Sequence, residues 1–121
     1  MKQERADRIG EALRAELAQM LEQREIKDPR IGFVSITRVA VTRDLSLARI
    51  GLSVLKPEEE GPTLEGLRSA AGFLRGELAR RLRLRLAPAL EFYIDRSIAE
   101  SLRVQQLMRE ALPPREETER P

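Results

Sequence analysis

Phe33-Val34-Ser35-Ile36-Thr37-Arg38-Val39-Ala40-Val41, followed by Thr42-Arg43-Asp44 and then Ala48-Arg49-Ile50-Gly51-Leu52-Ser53-Val54, is the stretch on which the fold turns. Its second half alternates apolar Ala48, Ile50, Leu52 and Val54 with Arg49, Gly51 and Ser53, the two-residue period of a strand with one buried face. The first half starts in the same way, with Val34 and Ile36 inward, but continues as Val39 and Val41, a slip of one position near Thr37-Arg38. A β-bulge, one extra residue in one strand of a pair, accounts for the slip. Thr42-Arg43-Asp44 supplies turn-compatible residues, so the two segments predict an antiparallel hairpin.

Upstream, Ile9, Leu13, Leu17, Met20 and Leu21 recur at helical spacing and predict an amphipathic helix from Arg5 to Gln23. Lys27-Asp28-Pro29-Arg30 ends it, because Pro29 lacks an amide donor and pushes Asp28 away from helical angles. Downstream, Lys56-Pro57-Glu58-Glu59-Glu60-Gly61-Pro62 reads as a charged loop, with Thr63 placed to cap the next helix. Leu64, Leu67, Ala70, Ala71, Leu74, Leu78 and Leu82 form a long helical stripe that Gly72 interrupts, at a cost of about 1 kcal/mol against alanine. Two helices meeting at a kink of Ala70, Ala71 and Gly72 are expected. Leu90, Phe92 and Ile94 alternate with Glu91, Tyr93 and Asp95 as a third strand, and Ser97 opens a last helix carrying Ile98, Leu102, Leu107 and Met108. The fold class is therefore α+β: a three-stranded sheet with helices on one face, in the order helix, strand, strand, helix, kinked helix, strand, helix. A single domain over 1–112 and a disordered tail over 113–121 are expected.

The composition narrows the function. Cysteine and histidine are both absent, which removes thiolate and imidazole chemistry and the usual zinc ligands. No metal, cofactor or small-molecule substrate is expected, and the chain does not read as an enzyme. The opening residues Met1-Lys2-Gln3-Glu4-Arg5 carry no apolar run, so a cytoplasmic protein with no membrane association is expected. The net charge is only +2, from 22 cationic and 20 acidic side chains, so any electrostatic footprint depends on clustering.

Arg75, Arg80, Arg81, Arg83 and Arg85 provide such a cluster, with Glu77 the one acid among them. At about 100° per residue, Arg80 and Arg83 point away from the Leu74, Leu78 and Leu82 stripe. Guanidinium forks match phosphate oxygens, but the cluster alone equally describes a solvated helix end whose cations favour the helix dipole. Ala70-Ala71-Gly72 likewise reads either as a packing kink or as a place where backbone approaches a ligand. Recognition across an open sheet needs stacking rings, and Tyr93 and Phe33 are few for that mode. Asp44, Glu91 and Asp95 fall at strand ends and turns, where capping is the ordinary role.

The first six elements resemble the type II KH arrangement. More narrowly, Asp28-Pro29-Arg30-Ile31, Val39 with Asp44-Leu45 and Ala48, Ala70-Ala71-Gly72-Phe73-Leu74-Arg75, and Pro88-Leu90-Phe92-Asp95 resemble ribosome-binding factor A in order and spacing, over Arg5 to Met108. KH domains clamp backbone with a GXXG loop that this chain lacks. In that family an Ala-x-Gly kink replaces the loop, and here it falls on Ala70, Ala71 and Gly72. A monomer is expected, and the resemblance implies binding to free 30S subunits through 16S rRNA. It also implies a role in late 30S maturation, in 16S rRNA 5′-end processing and in cold adaptation, without catalysis. It places the rRNA contacts on Arg75, Arg80, Arg81, Arg83 and Arg85, with Arg5 and Arg8 added from the first helix. A generic KH-like single-stranded RNA binder and a protein-interaction module remain as alternatives.

Overall fold

The computed structural model describes residues 2–111, so the expected tail at 113–121 lies outside the described residues. Helix α1 (Lys2–Glu22) leads into strands β1 (Val34–Val41) and β2 (Leu47–Val54). After a short 3-10 turn at Pro57–Glu59 come helix α2 (Glu60–Arg81), strand β3 (Ala89–Ile94) and helix α3 (Ser97–Ala111). The sheet order is β1-β2-β3, with β1 antiparallel to β2 and β3 parallel to it. A parallel partner requires a crossover, and α2 supplies it.

The bulge lies where the hydrophobic period slips. Ile36 pairs with Leu52 and Arg38 with Gly51, leaving Thr37 as the extra residue. Both halves of β1 thereby keep their apolar side chains on the core side, Val34 and Ile36 before the bulge and Val39 and Val41 after it. Leu13, Leu17 and Met20 of α1 and Leu67, Leu74 and Leu78 of α2 cover Ile36, Ile50, Leu52 and Phe92, giving one two-layer core. Helix α1 packs against β1 and α2 against β3. Among the described residues the other face of the sheet is left open, with the Arg49 and Glu91 side chains each about half exposed.

Helix α2 departs from expectation at two points. It starts at Glu60 rather than after Thr63, because Pro62 fits a first turn whose amides have no intrahelical acceptor. Thr63 is fully buried, and its hydroxyl accepts the Gly32 amide at 3.0 Å, tying α2 to the segment entering β1. The helix also runs unbroken through Gly72, where two helices are expected. Leu67 on one side of Gly72 and Leu74 and Leu78 on the other are all fully buried in the same core, which outweighs the roughly 1 kcal/mol propensity cost of one glycine.

Helix α3 forms where its periodicity places it but buries no residue. Ile98, Leu102, Val104, Leu107 and Met108 are each between 53% and 61% exposed. Its start is fixed by Asp95, whose carboxylate accepts the Ser97 amide at 2.9 Å. No helix among the described residues is long and apolar enough to cross a membrane.

Candidate nucleic-acid interface

The arginines after Gly72 do not share one environment. Arg75 donates from Nε to the Ala87 carbonyl at 2.9 Å, so it braces the segment that leads from α2 into β3. Arg80 is exposed and forms a forked pair with Glu77 one turn earlier, at 2.8 and 3.0 Å. An exposed pair of this kind contributes at most about 1 kcal/mol, so a phosphate can displace Glu77.

Arg81 departs from expectation. Its guanidinium turns back across the helix layer to Glu25 and Glu16, the latter at 3.2 Å, with Glu77 at 3.8 Å. Hydrogen bonding to Glu25, then to Glu16, raises the Arg81 pKa above the usual arginine range, and the same bond lowers that of Glu25. Arg81 is thus a neutralised bracket joining α2 to α1 and to the residue just beyond it. It is not a cation offered outward.

Arg83 and Arg85 are exposed and have no acidic partner among the described residues. Arg83 occupies the left-handed region at φ 54, where α2 terminates, and the Leu84 amide closes back on the Ala79 carbonyl at 2.8 Å. That closure is the ordinary helix stop, but a glycine is the usual occupant of its left-handed position. Arg5 and Arg8 are exposed on α1, likewise without an acidic partner among the described residues. Ala70 and Ala71 pack against the core, whereas Gly72 and Gly76 face open space. The two glycines leave a bare patch on the outer surface of α2, flanked by half-exposed Phe73 and by Ser69, which accepts from Arg30 at 3.2 Å.

The acidic residues set aside in the sequence hold the scaffold. Asp44 accepts from Thr42, Ser46 and the Ser46 amide within the hairpin turn, bonds that lower its pKa. Glu91 pairs with Arg49 at 2.9 Å, and the Arg49 guanidinium lies 4.7 Å from the Tyr93 ring centre on the open face of the sheet. No cluster of three metal-ligating side chains exists among the described residues.

Two carboxylates give the fold a specific acid response. The Thr37 hydroxyl, placed by the bulge, donates to Asp95 at 2.6 Å. That bond and those from Ser97 lower the Asp95 pKa from 3.8 to about 2. Asp28 is lowered from 3.8 to about 2 by the Arg30 side chain and then by the Arg30 amide. A depressed folded-state pKa stabilises fully above the unfolded value and is lost as pH falls through the folded one. Thermal midpoints are therefore expected to fall between about pH 4 and pH 2, and a D28N/D95N variant to be less stable at neutral pH with a shallower acid limb. A double variant keeping the full slope in thermal scans would assign the acid response to other groups.

Comparison with known proteins finds relatives over most of the chain. The family model described as ribosome-binding factor A matches residues 5–108. Ribosome-binding factor A of Marinobacter nauticus is 43% identical, over 89% of this chain and 80% of that protein. The protein of the same name from Thermodesulfovibrio yellowstonii is 42% identical, over 88% and 89%. The crystal structure of ribosome-binding factor A from Thermus thermophilus superposes with a TM-score of 0.64 at 30% identity, covering 76% of this chain and 98% of that one. A homology model of the Thermus thermophilus factor, fitted into a cryo-EM map of its complex with 30S, matches at a TM-score of 0.55 and 31% identity, over 70% and 93%.

Proposed function

Because the chain belongs to the ribosome-binding factor A family, we propose that it binds the free 30S ribosomal subunit through 16S rRNA and acts in late 30S maturation, including processing of the 16S rRNA 5′ end. The observation that carries this reading is the family match across residues 5–108, which includes both helices of the core layer and the basic end of α2. Arg83 and Arg85 contribute charge with no acidic partner among the described residues, Arg80 joins them by exchanging Glu77 for phosphate, and the absence of side chains at Gly72 and Gly76 leaves room for a nucleic-acid backbone at those two positions. Arg5 and Arg8 add contacts from α1, while Arg75 braces the segment leading into β3 and Arg81 ties α2 to α1.

No bond chemistry is required. A factor of this kind works by differential affinity: it favours one arrangement of the immature subunit and leaves when that arrangement is no longer available. Cosedimentation with purified 30S and 70S particles tests the reading. Recovery with free 30S, much reduced on 70S and falling steeply with added salt, is the expected result. Equal recovery on both particles would make the chain a generic RNA binder instead.

A further inference from the structure

Both core helices stop on an arginine in the left-handed region. Arg24 closes α1 at φ 53 as Arg83 closes α2 at φ 54, and the Glu25 amide returns to the Met20 carbonyl at 3.0 Å. The left-handed conformation is costly for a non-glycine residue, and residues held in it recur at ligand-binding sites. The Arg24 guanidinium lies over the Phe33 ring, 5.4 Å from its centre, and Phe33 is 64% exposed. An aromatic ring with a guanidinium stacked on it, left open to solvent just before an edge strand, has no packing role in the core.

Beside this pair a groove of about 830 Å³ opens between the C-terminal half of α1 and the first residues of β1. Its floor is apolar, with Leu21, Ile26, Ile31 and Val34, and Arg14, Arg24 and Lys27 stand on its rim. Of the two lining carboxylates, Asp28 is already bonded to Arg30. Among the described lining residues, Glu22 is then the one unpaired carboxylate beside three cations, with the Glu59 carboxylate packed behind Gly32 in the wall. Glu25, the neighbour of Arg24, is held by Arg81, whereas Gly32 in the groove wall meets Thr63 at the other end of α2, so the groove extends away from the basic end of that helix.

Resting on the rRNA-binding reading, we propose that this groove is a second rRNA contact that takes an unstacked nucleotide. Its base lies against Phe33 and the apolar floor, and its phosphates lie on Arg14, Arg24 and Lys27. The volume falls in the range of about 300 to 1,000 Å³ typical of small-ligand sites, and a ring beside cations is the usual equipment for single-stranded RNA. An acidic peptide would satisfy the cations but has no need of the exposed ring.

The test uses the full chain bound to free 30S subunits. A Phe33→p-benzoylphenylalanine variant is expected to photocrosslink to 16S rRNA. Adducts only with a protein, or with a second copy of this chain, would overturn the proposal, as would the absence of any adduct at position 33 while the variant still cosediments. Arg24→Gly relieves the left-handed backbone, so its thermal midpoint should hold or rise while affinity for 30S falls about tenfold. Unchanged affinity would remove the groove from the interface and leave the α2 surface standing. Failure of the unmodified protein to cosediment would instead sink the rRNA reading itself.

Discussion

Association with free 30S subunits is expected to weaken at least about 100-fold when Arg83 and Arg85 are both exchanged for glutamate, because two charged hydrogen bonds at about 1.5 to 3 kcal/mol each are replaced by repulsion. The circular dichroism spectrum should not change, since both side chains are exposed and neither has an acidic partner among the described residues. The salt dependence should change with the affinity: every phosphate that the variant no longer neutralises makes the log–log slope shallower by about 0.7 to 0.9. Cosedimentation titrated over salt reads both quantities, and a variant with wild-type affinity and slope would take this end of α2 out of the interface. Arg81→Glu is the informative contrast. It would place a fourth carboxylate among Glu16, Glu25 and Glu77, so its primary effect is on the join between α1 and α2.

Truncating Phe92 to alanine is expected to cost about 3 to 5 kcal/mol. Phe92 is 2% exposed on the central core face of β3, opposite Ile50 of β2. It therefore belongs to the layer between the sheet and α2, in one core cluster with Leu67, Leu74 and Leu78. Single domains have only about 5 to 15 kcal/mol in total, so the variant should unfold at a much lower urea concentration. A shift equivalent to less than about 1 kcal/mol would contradict the packing described for β3.

Local patterns in this sequence predicted local structure well. The displacement from Ile36 to Val39 located the bulge to within a residue, because a half-buried strand cannot slip without turning its apolar side chains outward. The alternation through Phe92 marked β3, and the stripe from Leu67 to Leu78 marked α2. Gly72 misled because propensity is a weak preference that burial on both sides overrides. Thr63 misled because its hydroxyl serves Gly32, thirty-one residues away, rather than the helix that contains it.

The candidate surface was legible only in part. Counting charges along 75–85 shows one acid among five arginines, but Arg81 is neutralised by Glu16 and Glu25, which lie 65 and 56 residues away in the chain. The groove gave no signal, since Arg14, Arg24, Lys27 and Phe33 belong to no common period and come together only when α1 lies along β1. One trace was present: no glycine stands where α1 stops, so another residue had to take the left-handed position.

The lack of any buried side chain on α3 has a thermodynamic consequence. A helix held by tertiary packing melts with its domain, whereas one that buries nothing obeys the helix–coil balance of a peptide. With 15 residues α3 sits near the length of about 12 to 15 at which isolated helices become marginal in water. Its helicity is then a graded function of temperature, uncoupled from the cooperative melting of the sheet and its two covering helices.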